Sequence, residues 1–313
     1  MENKKRLALI DLGTNTFHLL IAEVDAHKNI TPLVKLKEPV KLGEGGISRG
    51  AITPAAYDRA LKTLTYFRSL LEQHQVTEER VMATSAMRNA ANGPDLVKDI
   101  AEQTGFKVEI ISGDQEAELI YEGVRTALEI GKEKSLILDI GGGSVECIIC
   151  DGQRILWKQS FEIGAQRLID KFFITDPIND LAIEAEKEYL REQLQPLTAA
   201  IEQFNPCCLI GSSGTFDTLC DINSLKNGID RQQDSSPESE LSLSCYYEMH
   251  EDILRKNRDE RLAIPGMLAM RVDMIVVAMV LIDFILENYA INKIRVSAHA
   301  LKEGMLQQLL TQQ

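Results

Sequence analysis

The chain has 313 residues, of which 44% are hydrophobic and 26% are charged, and its formal net charge is −13. This length is typical of two globular domains, and the composition excludes long disordered or low-complexity segments. The negative charge argues against a broad nucleic-acid or anionic-membrane surface. Any polyanionic substrate must therefore meet a local cluster of arginines and lysines.

The N-terminal residues lack the apolar core of a signal peptide, because Asp11 lies within the first apolar run. The longest apolar run, at 274–282, is much shorter than the roughly 20 residues that span a bilayer, and it predicts a buried helix. Six cysteines are present, and we expect small core residues rather than metal ligands. We therefore expect a cytoplasmic protein that binds neither membrane nor nucleic acid.

Residues 7–21 predict two buried strands joined by a short polar turn. The first strand carries Asp11, and the turn contains Gly13, Thr14, Asn15 and Thr16. Glycine allows backbone N–H groups to surround an anion, and hydroxyl groups add further donors. The turn predicts a phosphate site, with Asp11 as a candidate Mg2+ ligand. The alternative for a single aspartate is that it only caps its own turn.

The next segments alternate between helix and strand. A third strand leads to a glycine-rich loop at 42–50, and Thr53 followed by Pro54 predicts a helix that continues to about residue 73. Strands are predicted at 80–84 and 107–111, with a helix at 94–103 between them. This alternation predicts an α/β fold. Arg88 follows one of these strands, and its planar guanidinium could contact phosphates.

A helix is predicted from about residue 112 to 128, where Ser112 and Gln115 have the spacing of a capping box. Glu116 lies in its first turn and is a candidate to position and deprotonate a water molecule. The alternative is that Glu116 only complements the helix dipole. We expect this helix to connect an N-terminal domain, 1–127, to a C-terminal domain, 128–313.

The second domain opens with a hairpin that repeats the plan of the first, starting 128 residues later. A buried strand carries Asp139, a glycine-rich turn follows, and the returning strand carries Glu146. The turn contains the predicted phosphate-binding residues Gly141, Gly142, Gly143 and Ser144. Because an internal duplication rarely arises by chance, we predict phosphate binding here and Asp139 as a second Mg2+ ligand. Glu146, like Glu116, is a candidate to position and deprotonate a water molecule.

The remaining segments add a third glycine turn and several helices. One helix is predicted from about residue 179 to 204 with a bend at Pro196, followed by a strand and a turn with the predicted phosphate-binding residues Ser213, Gly214 and Thr215. Arg167 is a second candidate arginine. The polar stretch 227–240 predicts a mobile surface loop. A last helix is predicted from about residue 302 and is expected to pack back on the first domain.

Together these motifs resemble the exopolyphosphatase/guanosine pentaphosphatase (Ppx/GppA) family of the actin, heat-shock ATPase and sugar kinase superfamily, in its short two-domain form. The resemblance rests on the sequence blocks 11–18, 43–45, 83–88, 111–120, 139–146, 164–167 and 211–215. It implies an α/β fold with two ribonuclease-H-like domains around a central cleft. It also implies Mg2+-dependent release of terminal phosphate from polyphosphate, with guanosine pentaphosphate as the alternative substrate and a role in the stringent response.

The same resemblance implies roles for individual residues. Glu116 would prepare the attacking water, Glu146 would act as the second carboxylate, Asp139 would lie at the metal, and Arg88 would neutralise phosphate charge. A homodimer is also expected from the family. Two residues depart from the family pattern: Val145 replaces a usual threonine and Lys302 a usual arginine. The sequence lacks the helical C-terminal extension of longer relatives, so we expect a preference for shorter polyphosphate or a nucleotide.

Two other functions are compatible with such a fold. An ATP-dependent sugar or carboxylate kinase would need an adenosine pocket, usually marked by a late Gly-Gly loop, whereas Gly266 and Gly304 each stand alone. A nucleotide sensor or actin-like scaffold would not require Glu116, Asp139 and Glu146. The sequence leaves open the choice between polyphosphate and guanosine pentaphosphate, and regulation by guanosine tetraphosphate.

Overall fold

The computed structural model describes residues 5–229 and 236–311. The chain divides into two compact units, one formed by Met1–Glu116 with Met305–Gln313 and the other by Ala117–Gly304. Helix α4 (Gly113–Ala127) and helix α12 (Leu301–Thr311) each contain a point of division. Within the described ranges, every helix is too short or too polar to cross a membrane.

The first unit contains a five-stranded mixed sheet. Its strands are β1 (Lys5–Leu12), β2 (Phe17–Val24), β3 (Ile30–Glu38), β4 (Glu78–Ala83) and β5 (Val108–Ile110). The order is β3-β2-β1-β4-β5. The pairs β3-β2 and β2-β1 are antiparallel, while the pairs β1-β4 and β4-β5 are parallel. This order and direction define a ribonuclease-H-like sheet, so the α/β prediction is confirmed for this unit.

Two helices of the first unit, α1 (Pro54–Gln73) and α4, begin where capping residues predict. The unit also contains a 3-10 turn at Ile47–Arg49 and the helices α2 (Ser85–Asn89) and α3 (Gly93–Thr104). The Thr53 side chain accepts a hydrogen bond from the Ala56 amide, and Ser112 and Gln115 form reciprocal bonds of 2.9 and 3.2 Å at the start of α4. The short helix α2, which carries Arg88, was not predicted.

The second unit contains a six-stranded sheet of the same plan with one added edge strand. The strands are β6 (Ser135–Ile140), β7 (Val145–Cys150), β8 (Ile155–Phe161), β9 (Cys208–Ser212), β10 (Glu238–Leu241) and β11 (Lys293–Ser297). The order is β10-β11-β9-β6-β7-β8, in which the β6-β7-β8 meander joins β9 and β11 in parallel. The second predicted ribonuclease-H-like domain is thereby confirmed.

One prediction for the helices of the second unit is wrong. They are α5 (Ala165–Phe172), α6 (Asp180–Gln193), α7 (Gln195–Phe204), α8 (Ser213–Lys226), α9 (Leu243–Arg255), α10 (Arg258–Leu262) and α11 (Met274–Asn288). The single bent helix predicted at 179–204 is two helices, α6 and α7, separated at Leu194. Pro196 lies in the first turn of α7, where its missing N–H is not needed, so it begins a helix instead of bending one.

The polar stretch 227–240 is not a loop throughout. Residues 230–235 lie outside the described residues, but Glu238–Leu241 form the edge strand β10. Two cations of the neighbouring strand pair with its carboxylates, Arg295 with Glu238 and Lys293 with Glu240, both at 2.6 Å. These cross-strand ion pairs make a strand compatible with a polar sequence that alone favours a loop.

The core of the second unit is built around α11. Its residues 274–286 are buried on every side of the helix, which confirms the buried helix predicted from the apolar run. All six cysteines are free, and four of them are buried, including Cys147 and Cys150. Burial raises the pKa of both of these thiols, as expected for small core residues.

One carboxyl group is buried in this unit without a polar partner. Glu186 on α6 has an exposed fraction of 0%, and neither of its carboxyl oxygens forms a hydrogen bond to any part of the chain that the structure describes. Burial raises the pKa of Glu186 well above its ordinary value. The protonated form is therefore favoured in the folded protein.

We expect Glu186→Met to stabilise the protein by about 1–3 kcal/mol near pH 8, because it removes an unsatisfied buried group. The unfolded carboxyl releases its proton near its ordinary pKa of 4.5, whereas the folded one keeps it, so the contribution of Glu186 to wild-type stability falls as pH rises above that value. The advantage of E186M should narrow towards pH 4. Urea unfolding across this pH range measures it.

Two variants control this experiment. Glu186→Gln removes the titration of this carboxyl but keeps a polar side chain. It should therefore abolish the contribution of residue 186 to the pH dependence of the unfolding free energy, and it should recover less stability than E186M. Glu184→Gln changes an exposed carboxylate on the same helix and should behave as wild type. An E186M advantage independent of pH would show that Glu186 titrates alike in the folded and unfolded chains.

Candidate functional site

The first predicted phosphate loop, residues 13–16, joins β1 to β2 at the point where Leu12 pairs with Phe17. Thr14, Asn15 and Thr16 are buried, so their polar groups are held within the protein rather than at its surface. A Cβ at Gly13 would lie 2.8 Å from the carbonyl oxygen of Thr16, so only glycine fits the turn. Asp11 lies partly buried on β1 beside this loop.

Glu116 and Arg88 form a largely buried ion pair in the first unit. Arg88 Nη1 lies 2.9 Å from Glu116 Oε2, and the side chains are only 17% and 8% exposed. The same nitrogen donates to the Ile111 carbonyl oxygen at 3.0 Å. Arg88, predicted to contact phosphate, is thus placed to orient the Glu116 carboxylate. Its contact with phosphate stays a prediction.

Asp139 and Glu146 face each other across the β6-β7 hairpin. They are directly opposite in the register of these strands, and both are almost fully buried. The two carboxylates belong to a polar row on five adjacent strands, in which register partners share one face of the sheet: Ser160, Glu146, Asp139, Ser212 and Ser297. Ser160 donates a hydrogen bond of 2.7 Å to Glu146 Oε1.

The Asp139 carboxylate binds the third glycine turn. Its Oδ2 accepts hydrogen bonds from Ser212 Oγ at 2.7 Å and from Ser213 Oγ at 2.6 Å. Burial raises the pKa of Asp139, although both serine bonds and the charge of Arg271 oppose that rise. Ser213 has a left-handed φ of 69°, an uncommon conformation for a residue with a side chain.

The second predicted phosphate loop, residues 141–144, is oriented by the first turn of α5. The Gly141 carbonyl accepts from the Ala165 amide at 2.9 Å, and the Gly142 carbonyl accepts from the Gln166 amide at 2.8 Å. Among the described residues, the N–H groups of Gly142 and Gly143 donate no hydrogen bond. Because the loop's carbonyls are engaged and these N–H groups are not, the loop can bind an anion.

Gly164 and Arg167 both contact the backbone of this loop at Gly143. A Cβ at Gly164 would lie 2.4 Å from the backbone carbon of Gly143, so α5 can begin this close to the loop only with glycine at that position. Arg167 Nε donates to the Gly143 carbonyl at 2.9 Å, and its Nη2 lies 3.1 Å from Glu162. Arg167, predicted as a phosphate contact, therefore supports the loop through its backbone.

The third glycine turn begins helix α8. A Cβ at Gly211 would overlap the ring of Phe216, and a Cβ at Gly214 would lie 2.1 Å from Arg271 Nη2. The guanidinium of Arg271 therefore lies directly over Gly214. Thr215 is buried in the first turn of α8. Of the predicted residues here, Ser213 contacts Asp139, and Gly214 provides the space for Arg271.

Three residues of the site were missed by the sequence analysis. Ser160 could have been found by counting register from the short β7-β8 turn, and Ser212 by its place before α8. Arg271 lies in an irregular segment before α11 with no motif around it, so no signal in one sequence places it over Gly214. Of the predicted residues, Arg88, Glu116 and Arg167 lie on helices α2, α4 and α5, and the others lie on the loops, strand ends and first turn of α8 described above.

The donor groups in the second unit fit Mg2+ when phosphate completes its coordination. Asp139 supplies hard carboxylate oxygens, and Mg2+ is commonly held by one or two carboxylates together with substrate phosphates and water. No cluster of three or more His, Cys, Asp or Glu residues able to hold a metal occurs in residues 5–229 and 236–311. The donor set is thus compatible with a metal held jointly with substrate.

Solved structures share this fold over nearly the whole chain. The crystal structure of an exopolyphosphatase from Cytophaga hutchinsonii is 44% identical, covers 98% of both chains and superposes with a TM-score of 0.93. A Ppx/GppA family member from Aquifex aeolicus is 22% identical, covers 99% of both chains and has a TM-score of 0.79, which supports the fold.

Sequence comparison gives the same result. A curated Haemophilus influenzae relative is 28% identical over 308 residues, which are 98% of this chain and 92% of that protein. The model of the Ppx/GppA phosphatase family matches residues 20–313, a range that includes the whole second unit with its two glycine turns and the first unit from within β2 onward. The chain therefore belongs to the Ppx/GppA phosphatase family.

Proposed function

We propose that this protein releases terminal phosphate from inorganic polyphosphate by attack of water. The proposal rests on the juxtaposition of Asp139 and Glu146 across one hairpin, beside a glycine loop with two N–H groups available for an anion. Two carboxylates next to an anion cradle suit hydrolysis of a phosphoanhydride. The similarity to an exopolyphosphatase over 98% of the chain supports the same substrate class.

The reaction needs a base and donors that stabilise charge. Water oxygen forms a bond to the terminal phosphorus while the bridging P–O bond breaks, so the shortened chain leaves with the electrons of that bond. We propose that Glu116 accepts the proton from water, because its carboxylate is held by Arg88 at 2.9 Å in one orientation. Glu146 is the second proposed carboxylate, and Ser160 orients it.

The loops would hold the phosphates. The N–H groups of Gly142 and Gly143 and the hydroxyls of Ser144 and Thr14 are the proposed donors, and the rigid setting of the second loop by α5 avoids reorganisation during the reaction. We propose Asp139 as a ligand of Mg2+, with Asp11 as a further candidate. A bound Mg2+ would offset negative charge on phosphate oxygens.

A single assay distinguishes the proposed function from its alternatives. Phosphate release is measured with Mg2+ from short polyphosphate, long polyphosphate, guanosine pentaphosphate and ATP side by side. We expect release from polyphosphate. Release confined to guanosine pentaphosphate would replace the proposed substrate, and transfer from ATP to a sugar or carboxylate would replace hydrolysis.

In the same assay, Glu116→Gln should lower kcat for polyphosphate by about 10²- to 10⁴-fold, the usual contribution of a general base. Binding of polyphosphate, measured by calorimetry, should persist because the amide keeps the shape of the side chain. The matched control is Glu118→Gln, an exposed carboxylate on the same helix that pairs with Lys158. Equal kcat values for E116Q and E118Q would remove Glu116 from the mechanism.

Asp139→Asn should weaken the response to Mg2+. We expect the Mg2+ concentration for half-maximal phosphate release to rise by about 10- to 100-fold, because a neutral amide is a poorer ligand for a hard cation. Asp151→Asn, in the exposed turn at the other end of β7, should leave the Mg2+ response unchanged. An unchanged response in D139N would assign the residue to the support of Ser212 and Ser213 alone.

A further inference from the structure

A second loop of the first unit is fixed to the first phosphate loop. We name residues 41–46 the lysine loop. The Lys41 amide donates to the Asn15 carbonyl at 2.8 Å, and the Gly43 amide donates to the Thr14 carbonyl at 2.9 Å. A Cβ at Gly43 would lie 2.5 Å from Thr14 Cγ2, so the loops are in van der Waals contact there. The backbone of Lys41 thus hydrogen-bonds directly to Asn15, a residue of the predicted phosphate site.

The backbone of Lys41 is held in an uncommon conformation. Its φ is 51°, in the left-handed region that favours glycine. Such a conformation persists only where surrounding structure enforces it, and it is frequent at ligand-binding positions. Here Arg59 on α1 enforces it, since Arg59 Nε donates to the Val40 carbonyl at 2.7 Å and Nη2 donates to the Lys41 carbonyl at 3.0 Å.

The side chains of this loop already bind one carboxylate between two cations. Glu44 Oε1 lies 3.2 Å from Lys41 Nζ, and Glu44 Oε2 lies 3.0 Å from Arg59 Nη2. All three side chains are between 38% and 52% exposed, so a solute can reach them. A carboxylate held by a lysine and an arginine occupies the place that a phosphate group would take.

We propose that Lys41 and Arg59 form a subsite for the phosphate groups that follow the terminal one in polyphosphate. The inference rests on the proposed function and adds a determinant of substrate affinity to it. Lys41 is the substrate contact, and Arg59 both positions the loop and shares the charge. Glu44 competes with substrate for the two cations, so it limits the affinity of the subsite when no polyphosphate is bound.

The charges of Lys41, Arg59 and Glu44 predict whether each substitution raises or lowers the KM for polyphosphate. Removing Lys41 leaves one cation with one carboxylate, whereas removing the charge of Glu44 leaves two cations for the substrate. Lys41→Gln should therefore raise the KM for polyphosphate by about three- to ten-fold, in keeping with the loss of one partly exposed charged contact. Glu44→Gln should lower the KM. Neither change alters the reacting groups, so kcat should change much less than KM.

The experiment measures kcat and KM for polyphosphate at several salt concentrations. Because each contact between a cation and a polyanion releases counterions, K41Q should also show a weaker dependence of KM on salt. Lys62→Gln, an exposed lysine on α1, is the matched control for loss of one positive charge from the same unit. Lys41→Arg should keep most of the affinity.

A second variant separates charge from backbone strain. Lys41→Gly removes the cation but relieves the left-handed conformation, so it should fold at least as well as wild type in a thermal unfolding measurement and still show the raised KM. If wild type releases phosphate from polyphosphate but K41Q and K41G match K62Q in KM and salt dependence, the subsite is wrong. If wild type does not act on polyphosphate, the proposed function fails instead.

Discussion

The second unit's site depends on the hydrogen bonds that the buried Asp139 carboxylate accepts. A carboxylate buried in a sheet is costly unless its oxygens have donors, and Ser212 and Ser213 provide them at 2.7 and 2.6 Å. Those bonds connect the central strand β6 to the first turn of α8. They hold Ser213 in a left-handed conformation, and this places Gly214 against Arg271. One side chain thereby determines the position of a whole turn.

The two predicted phosphate loops are made rigid in different ways. In the second unit, the first turn of α5 donates its amides to the carbonyls of Gly141 and Gly142. In the first unit, the amides of Lys41 and Gly43 donate to the carbonyls of the loop. In both units the supporting segment is a loop or helix start that could approach only because glycine, Gly43 or Gly164, lacks a side chain there. The two hairpins therefore share one plan, while the segments that support their loops differ.

The sequence was sufficient for the parts of the fold that depend on local signals. Tight hairpins let strand register be counted, so the opposition of Asp139 and Glu146 follows from the length of their turn. Caps at Thr53 and Ser112 placed two helix starts correctly. Arg271 could not be placed, because its contact with Gly214 joins segments more than 50 residues apart through irregular backbone. The domain boundary at residue 127 and the residue roles stay predictions.

The partners of Arg88 and Arg167 bear on how the protein would recognise phosphate. An acidic chain was expected to meet a polyanion with a local cluster of arginines and lysines. Of the candidate arginines, Arg88 pairs with Glu116, and Arg167 binds the Gly143 carbonyl and Glu162. These arginines orient the groups around them. Neutralisation of substrate would then rest mainly on backbone N–H groups, hydroxyls and a metal ion, which act at short range. A partly exposed cation such as Lys41 matters more in that setting, because Lys41 is the one cationic residue of the lysine loop, residues 41–46.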